Sequence, residues 1–105
     1  MKWQLLAAAA VVACAGCGGP ARIDGTSQVA YDRSIAAMVA TMSVAEEEAF
    51  RKSLSTVALD GVEGLDELIE ATASGRIRVS VDGMTAADIE AIASKIRERR
   101  AADAQ

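Results

Sequence analysis

The hydrophobic pattern divides the chain into three regimes. Leu5 to Ala13 is an unbroken apolar run, Gly18 to Gly25 holds three glycines and one proline, and from Thr26 onward apolar residues recur at helical spacing. In that last regime Tyr31, Ile35, Met38, Val39 and Met42 line one side of a first helix. Thr26 or Ser27 stands ahead of it, and either hydroxyl can cap the free N–H groups of its first turn. Ser43-Val44-Ala45-Glu46 has the spacing of a capping box, which closes the first helix and opens a second. Phe50, Leu54, Val57 and Ala58 form the inward stripe of the second helix, and Asp60-Gly61 breaks it. A third helix from about Val62 to Ala73 is expected to turn Leu65, Leu68, Ile69 and Thr72 inward, with Gly75 where a left-handed cap belongs.

Arg76 to Val81 then alternates polar with β-branched apolar residues, which is a strand signal. No partner strand is evident, so the segment is expected to lie extended across the helices. Asp82-Gly83 turns the chain and Thr85 caps a last helix, whose inward stripe is Ile89, Ile92, Ala93 and Ile96. Lys95, Arg97, Arg99 and Arg100 gather at its C-terminal end, where cations suit the helix dipole and can also attract anionic headgroups. The expected fold class is therefore mainly α: a small bundle of three to four helices with one short extended segment. Three turns share an aliphatic-Asp-Gly signature, at Ile23 to Gly25, Leu59 to Gly61 and Val81 to Gly83. Turn chemistry accounts for each, because Asp accepts from nearby N–H groups and Gly takes positive φ.

The front of the chain carries a different kind of message. Lys2 precedes the apolar run, and the run is too short to span a hydrocarbon core, which needs roughly 20 residues. Charge, apolar stretch and small residues in that order are the pattern of a secretory signal peptide. This one ends in small residues followed by cysteine, and so resembles the lipobox of bacterial lipoproteins. There the cysteine thiol receives a diacylglyceryl group and the signal is removed just ahead of it. Two frames are open. Val-Val-Ala-Cys14 has the better aliphatic residue, while Ala15-Gly16-Cys17 has the better small pair and the less abbreviated signal. Cys17 is preferred, because Cys14 as the anchor leaves an odd thiol at Cys17 in an oxidising compartment. A disulfide between the two is not expected, since one is lipidated or lost in either frame.

Composition then sharpens the picture. Of 105 residues 51% are hydrophobic, and the signal holds a disproportionate share of them. Removing residues 1–16 takes one lysine and leaves 89 residues with ten basic and fifteen acidic side chains, a net charge of −5. The organisation expected is a signal peptide at 1–16, a lipidated cysteine and flexible tether at 17–25, a helical domain at 26–100 and a disordered tail at 101–105. Stable anchoring requires two or more acyl chains, and it holds a protein to a membrane without spanning it. So small a core is marginal, and a partner or self-association can supply what it lacks.

Candidate chemistry is thin. There is no histidine, and with it go the usual neutral-pH acid/base and the commonest metal ligand. No serine stands in a Gly-x-Ser-x-Gly context, and Lys52 beside Ser53, like Lys95 beside Ser94, diverges from its neighbour on a helix. No glycine-rich phosphate loop or zinc constellation occurs. Glu46, Glu47 and Glu48 fit the start of a helix, with Glu47–Arg51 and Glu48–Lys52 as i,i+4 pairs. Asp60, Glu63, Asp66, Glu67 and Glu70 form a second acidic group without the wrapping loop a calcium site needs. The chain is expected not to be an enzyme, to carry no cofactor or metal, and to bind no nucleic acid, which export and negative charge disfavour.

Two segments resemble a family of short bacterial lipoproteins of unknown function. One is the mature start, Cys17-Gly18-Gly19-Pro20-Ala21-Arg22-Ile23-Asp24-Gly25-Thr26-Ser27, similar to that family's Cys-Gly-x-Pro-Lys-Ile-Asp-x-Ser-Ser opening. The other is Val81-Asp82-Gly83-Met84-Thr85-Ala86-Ala87-Asp88-Ile89, similar to a closing Leu-Asp-Gly-Lys-Thr-Ala-x-Glu-Ile, with Met84 in place of the lysine. Tyr31, Ser34 and Met38 follow the pattern between them. The resemblance favours Cys17 as the lipidated residue and implies no activity. It implies an exported protein, anchored by lipid on Cys17 to the cell membrane. With Gly18 after the cysteine, the periplasmic face of the outer membrane is expected if the cell has two membranes. The leading functional expectation is a non-enzymatic envelope module that binds an envelope protein or itself. The alternative is a periplasmic small-ligand or cation sensor using the acidic third helix.

Overall fold

Local hydrogen-bonding chemistry starts three of the helices. The computed structural model describes residues 19–104, so the apolar run and both lipid-attachment candidates, Cys14 and Cys17, lie outside the described residues. Ser27 caps α1 (Gln28–Val39) by accepting the Ala30 N–H at 3.0 Å. Ser43 opens α2 (Val44–Ala58) with a complete capping box: its Oγ accepts the Glu46 N–H at 3.1 Å, and Glu46 Oε1 accepts the Ser43 N–H at 2.8 Å. Thr85 repeats the device at the start of α5 (Ala86–Asp103), exchanging bonds of 3.1 Å with Asp88 in both directions. Between them lie α3 (Leu65–Ser74) and α4 (Arg76–Ser80).

The protein is mainly helical, as its periodicity predicts, with five helices among the described residues. Several details differ from expectation. Arg76 to Ser80 is a short helix instead of an extended segment. Without a neighbouring strand an extended backbone there leaves its N–H and C=O groups unpaired, whereas a helical turn pairs them internally. The alternation also reads differently once coiled: Ile77 and Val81 fall four apart on the buried side, while Val79 between them is left exposed. Gly75, at φ 79°, ends α3 in the left-handed conformation and lets the chain restart at once as α4. The second detail is the C-terminus, where α5 continues through residues 101–103 expected as a disordered tail.

The core gathers Ile35 and Met38 of α1, Phe50, Leu54 and Val57 of α2, and Ile89, Ala93 and Ile96 of α5, together with Val81 and Ile23. The α2 and α5 helices form the principal packed pair. The α3 helix turns a different face inward from the one its pattern predicts. Ala71 is its one buried residue, Leu68 is half-buried, and Leu65 and Ile69 point to solvent. It packs chiefly on α4, which in turn touches α2.

Ile23 is the least expected member of the core, because residues 17–25 read as tether. It is 2% exposed. Its N–H donates to the Met84 carbonyl at 2.9 Å and its own carbonyl accepts from the Gly83 N–H at 2.7 Å. Arg22 pairs across to Thr85 in a single antiparallel bridge. From Arg22 onward, then, the chain belongs to the fold.

Candidate functional site

The seam between residues 22–26 and 78–85 is where the two segments of the family resemblance meet. Beyond the Ile23 pairing, the Arg22 guanidinium donates to the Gly83 carbonyl at 2.8 Å. Asp82 Oδ1 accepts the Gly25 N–H at 2.7 Å, and Arg78 Nη1 donates to the Gly25 carbonyl at 2.9 Å. Asp24 accepts both the N–H and the hydroxyl of Thr26, at 3.1 and 2.6 Å. Those two bonds from Thr26, the hydroxyl's first, hold the Asp24 carboxyl below the usual aspartate range. Two of the three aliphatic-Asp-Gly turns, Ile23 to Gly25 and Val81 to Gly83, are therefore bound to one another. The third stands apart, with Asp60 accepting from Arg99 at 2.6 Å and lying 3.8 Å from Arg100. An open groove of about 310 Å³ flanks the seam, lined by Pro20, Ala21, Met38, Met42 and Ala86 among others.

A second polar cluster joins α2 to α5. Ser53 lies on the inward side of α2, three residues after Phe50 and four before Val57, and is 1% exposed. Its hydroxyl donates to Glu90 Oε1 at 2.8 Å and accepts from Arg97 Nη2 at 2.9 Å. Glu90 Oε2 takes a 3.3 Å bond from Ser94 and a 3.4 Å bond from Arg97. The Ser53 hydroxyl above all, then Ser94 and the Arg97 charge, keep the Glu90 carboxyl below its ordinary value. A carboxylate so held is ionised throughout the neutral range and is poorly placed to shuttle protons there. Both functions of the Ser53 hydroxyl are engaged, one with a carboxylate and one with a guanidinium, so it stands as a tie between helices. The groove beside it, about 510 Å³, is completed by Glu48, Ala49 and Lys52. A serine on an otherwise apolar stripe was the available sign that a polar partner stands opposite it.

The remaining charged groups separate into engaged and free. Glu47 pairs with Arg51 at 2.9 Å as the i,i+4 spacing predicts, whereas among the described residues Glu48 and Lys52 form no such pair. Glu67 meets Arg76 at 3.7 Å. Three arginines of the basic cluster of α5 are paired within the fold while remaining about half exposed, Arg97 with Ser53 and Glu90, Arg99 and Arg100 with Asp60. Among the described residues no group of three or more acidic or thiol side chains is placed to hold a metal ion. The acidic group of the third helix is thus not gathered into a cation site. None of the described helices is long and apolar enough to cross a membrane.

Comparison with known proteins matches residues 4–98 to the family described as "Family of unknown function (DUF6694)". No curated protein and no solved structure matches the chain.

Proposed function

The chain belongs to DUF6694, a family of unknown function, and from that premise we propose that it is an exported lipoprotein, anchored through Cys17, that serves as a non-enzymatic interaction module of the bacterial envelope. The observation that carries this reading is the seam that follows the cysteine. Cys17 stands five positions ahead of Arg22, where the chain joins the fold. The five steps from Cys17 to Arg22 can reach only about 17 Å at roughly 3.3–3.6 Å per residue. A lipid on Cys17 would therefore hold the helical domain close against the bilayer surface, with the start of α5 toward the membrane.

Intact-mass analysis after growth on labelled palmitate tests the anchor. Cys17→Ser is expected to abolish lipid attachment and Cys14→Ser to retain it; lipid retained in Cys17→Ser but lost in Cys14→Ser overturns the assignment. Recovery in mild detergent of neither an envelope partner nor a self-associated species overturns the interaction-module reading.

A further inference from the structure

The outer face of α3 is an apolar ridge with a carboxylate ridge beside it. Leu65 and Ile69, one turn apart, are 69% and 59% exposed. Asp66 and Glu70 follow them by one position each, about 100° further round the helix. Both carboxylates are exposed, and among the described residues neither has a basic side chain within 4.0 Å. Single exposed leucines are ordinary, but here two of the three large apolar side chains of the helix point outward while Ala71 faces the fold. On α4, the helix packed against α3, Val79 is exposed as well.

We propose that this face of α3 docks a cationic amphipathic helix of an envelope partner, an identification that rests on the interaction-module reading. Apolar residues of the partner at helical spacing would cover Leu65 and Ile69, and Lys or Arg flanking them would meet Asp66 and Glu70. Charge decides between the possible occupants. An anionic bilayer is repelled by two unpaired carboxylates at the ridge. A second copy docked through the same face brings Asp66 and Glu70 of both chains to one interface. The basic end of α5 from a second copy offers charge without an apolar ridge, because Ile89, Ala93 and Ile96 are buried. A ridge this narrow belongs to a small, transient interface, so binding should be weak and strongly weakened by salt.

The test uses the full chain in detergent micelles and a synthetic helical peptide with leucines at i, i+4 and i+7 flanked by lysines. Controls are the same composition scrambled and the same pattern with glutamate for lysine. Binding of the lysine peptide alone is expected, at least tenfold weaker in Leu65→Ser/Ile69→Ser and less salt-dependent in Asp66→Asn/Glu70→Gln. Equal binding by the scrambled or glutamate peptide, or by the variants, overturns the proposal, as do anionic vesicles or self-association acting through Leu65 and Ile69. A cellular partner recovered equally with Leu65→Ser/Ile69→Ser leaves the interaction module standing and removes this surface from it.

Discussion

Gly25 and Arg78 stand 53 positions apart and are held in close contact: an N–H of the Arg78 guanidinium donates to the Gly25 carbonyl, and the Arg78 carbonyl oxygen occupies the space where a side chain on residue 25 would begin. The Asp82 Cβ closes the same space from the other side. Gly25→Ala therefore forces the seam apart. Overpacking of this kind costs about 1–3 kcal/mol, read as a fall in Tm of about 4–8 °C per kcal/mol for a domain of this size. An unchanged Tm would show that the seam yields freely.

Ser53→Ala removes the hydroxyl that links Glu90 to Arg97. Both charged partners are about half exposed and can turn to water, so the loss is expected at about 1 kcal/mol. The informative measurement is the double-mutant cycle of Ser53→Ala with Arg97→Ala. A coupling of at least about 0.5 kcal/mol is expected for a bonded pair, and strict additivity would deny the link.

The two capping boxes make stability rise with pH across the acidic range. Glu46 is held below its ordinary 4.5 first by the Ser43 backbone bond and then by the Ser43 hydroxyl. Asp88 is held below 3.8 first by the Thr85 backbone bond and then by its hydroxyl. A carboxylate whose folded pKa is depressed binds fewer protons folded than unfolded, so its contribution is complete above the unfolded value and drains away as pH falls through the folded one. Denaturant midpoints should accordingly be flat above about pH 5 and decline below it. Ser43→Ala is expected to cost about 1 kcal/mol at neutral pH and to make that decline shallower; an unaltered acid profile in this variant would exclude the box as its source.

Hydrogen exchange should find α3 the least protected of the longer helices. It contributes Ala71 alone to the buried set and begins at Gly64 without a side-chain cap, whereas α2 and α5 share the core. Local opening follows the amount of buried apolar contact. Amides 69–74 are expected to exchange at least tenfold faster than those of residues 53–57 and 92–96. Exchange of α3 only through global unfolding would contradict this.

What could be read in advance was what depends on a few neighbouring residues. Ser43 with Glu46, and Thr85 ahead of its helix, specify helix starts through bonds spanning three positions, and both stand where they were expected. The stripes of α1, α2 and α5 were legible because each recurs at helical spacing over two turns or more. Arg76 to Val81 misled because alternation and a single helical turn share too few residues to be told apart, and tertiary surroundings chose the turn. The rotation of α3 was hidden for a related reason: its buried face carries the small Ala71 in place of Leu65 and Ile69, and the sizes of facing residues are not a local property. The Ile23 seam was masked by glycines and proline that read as linker, although its pairing partner carries the same aliphatic-Asp-Gly signature. Next to Lys52 in sequence Ser53 carries no signal, because its partners Glu90 and Arg97 stand 37 and 44 positions away on α5.

The seam also has a mechanical meaning. Tension applied to the chain ahead of Arg22 does not reach α1 first; it arrives at the 83–85 turn through the Ile23–Met84 and Gly83–Ile23 backbone bonds and the Arg22–Gly83 contact. The load thus passes directly to the start of α5, the helix that shares the core with α2. A domain hung from its amino end in this way is gripped at its strongest pair of helices, leaving α3 outside the line of force.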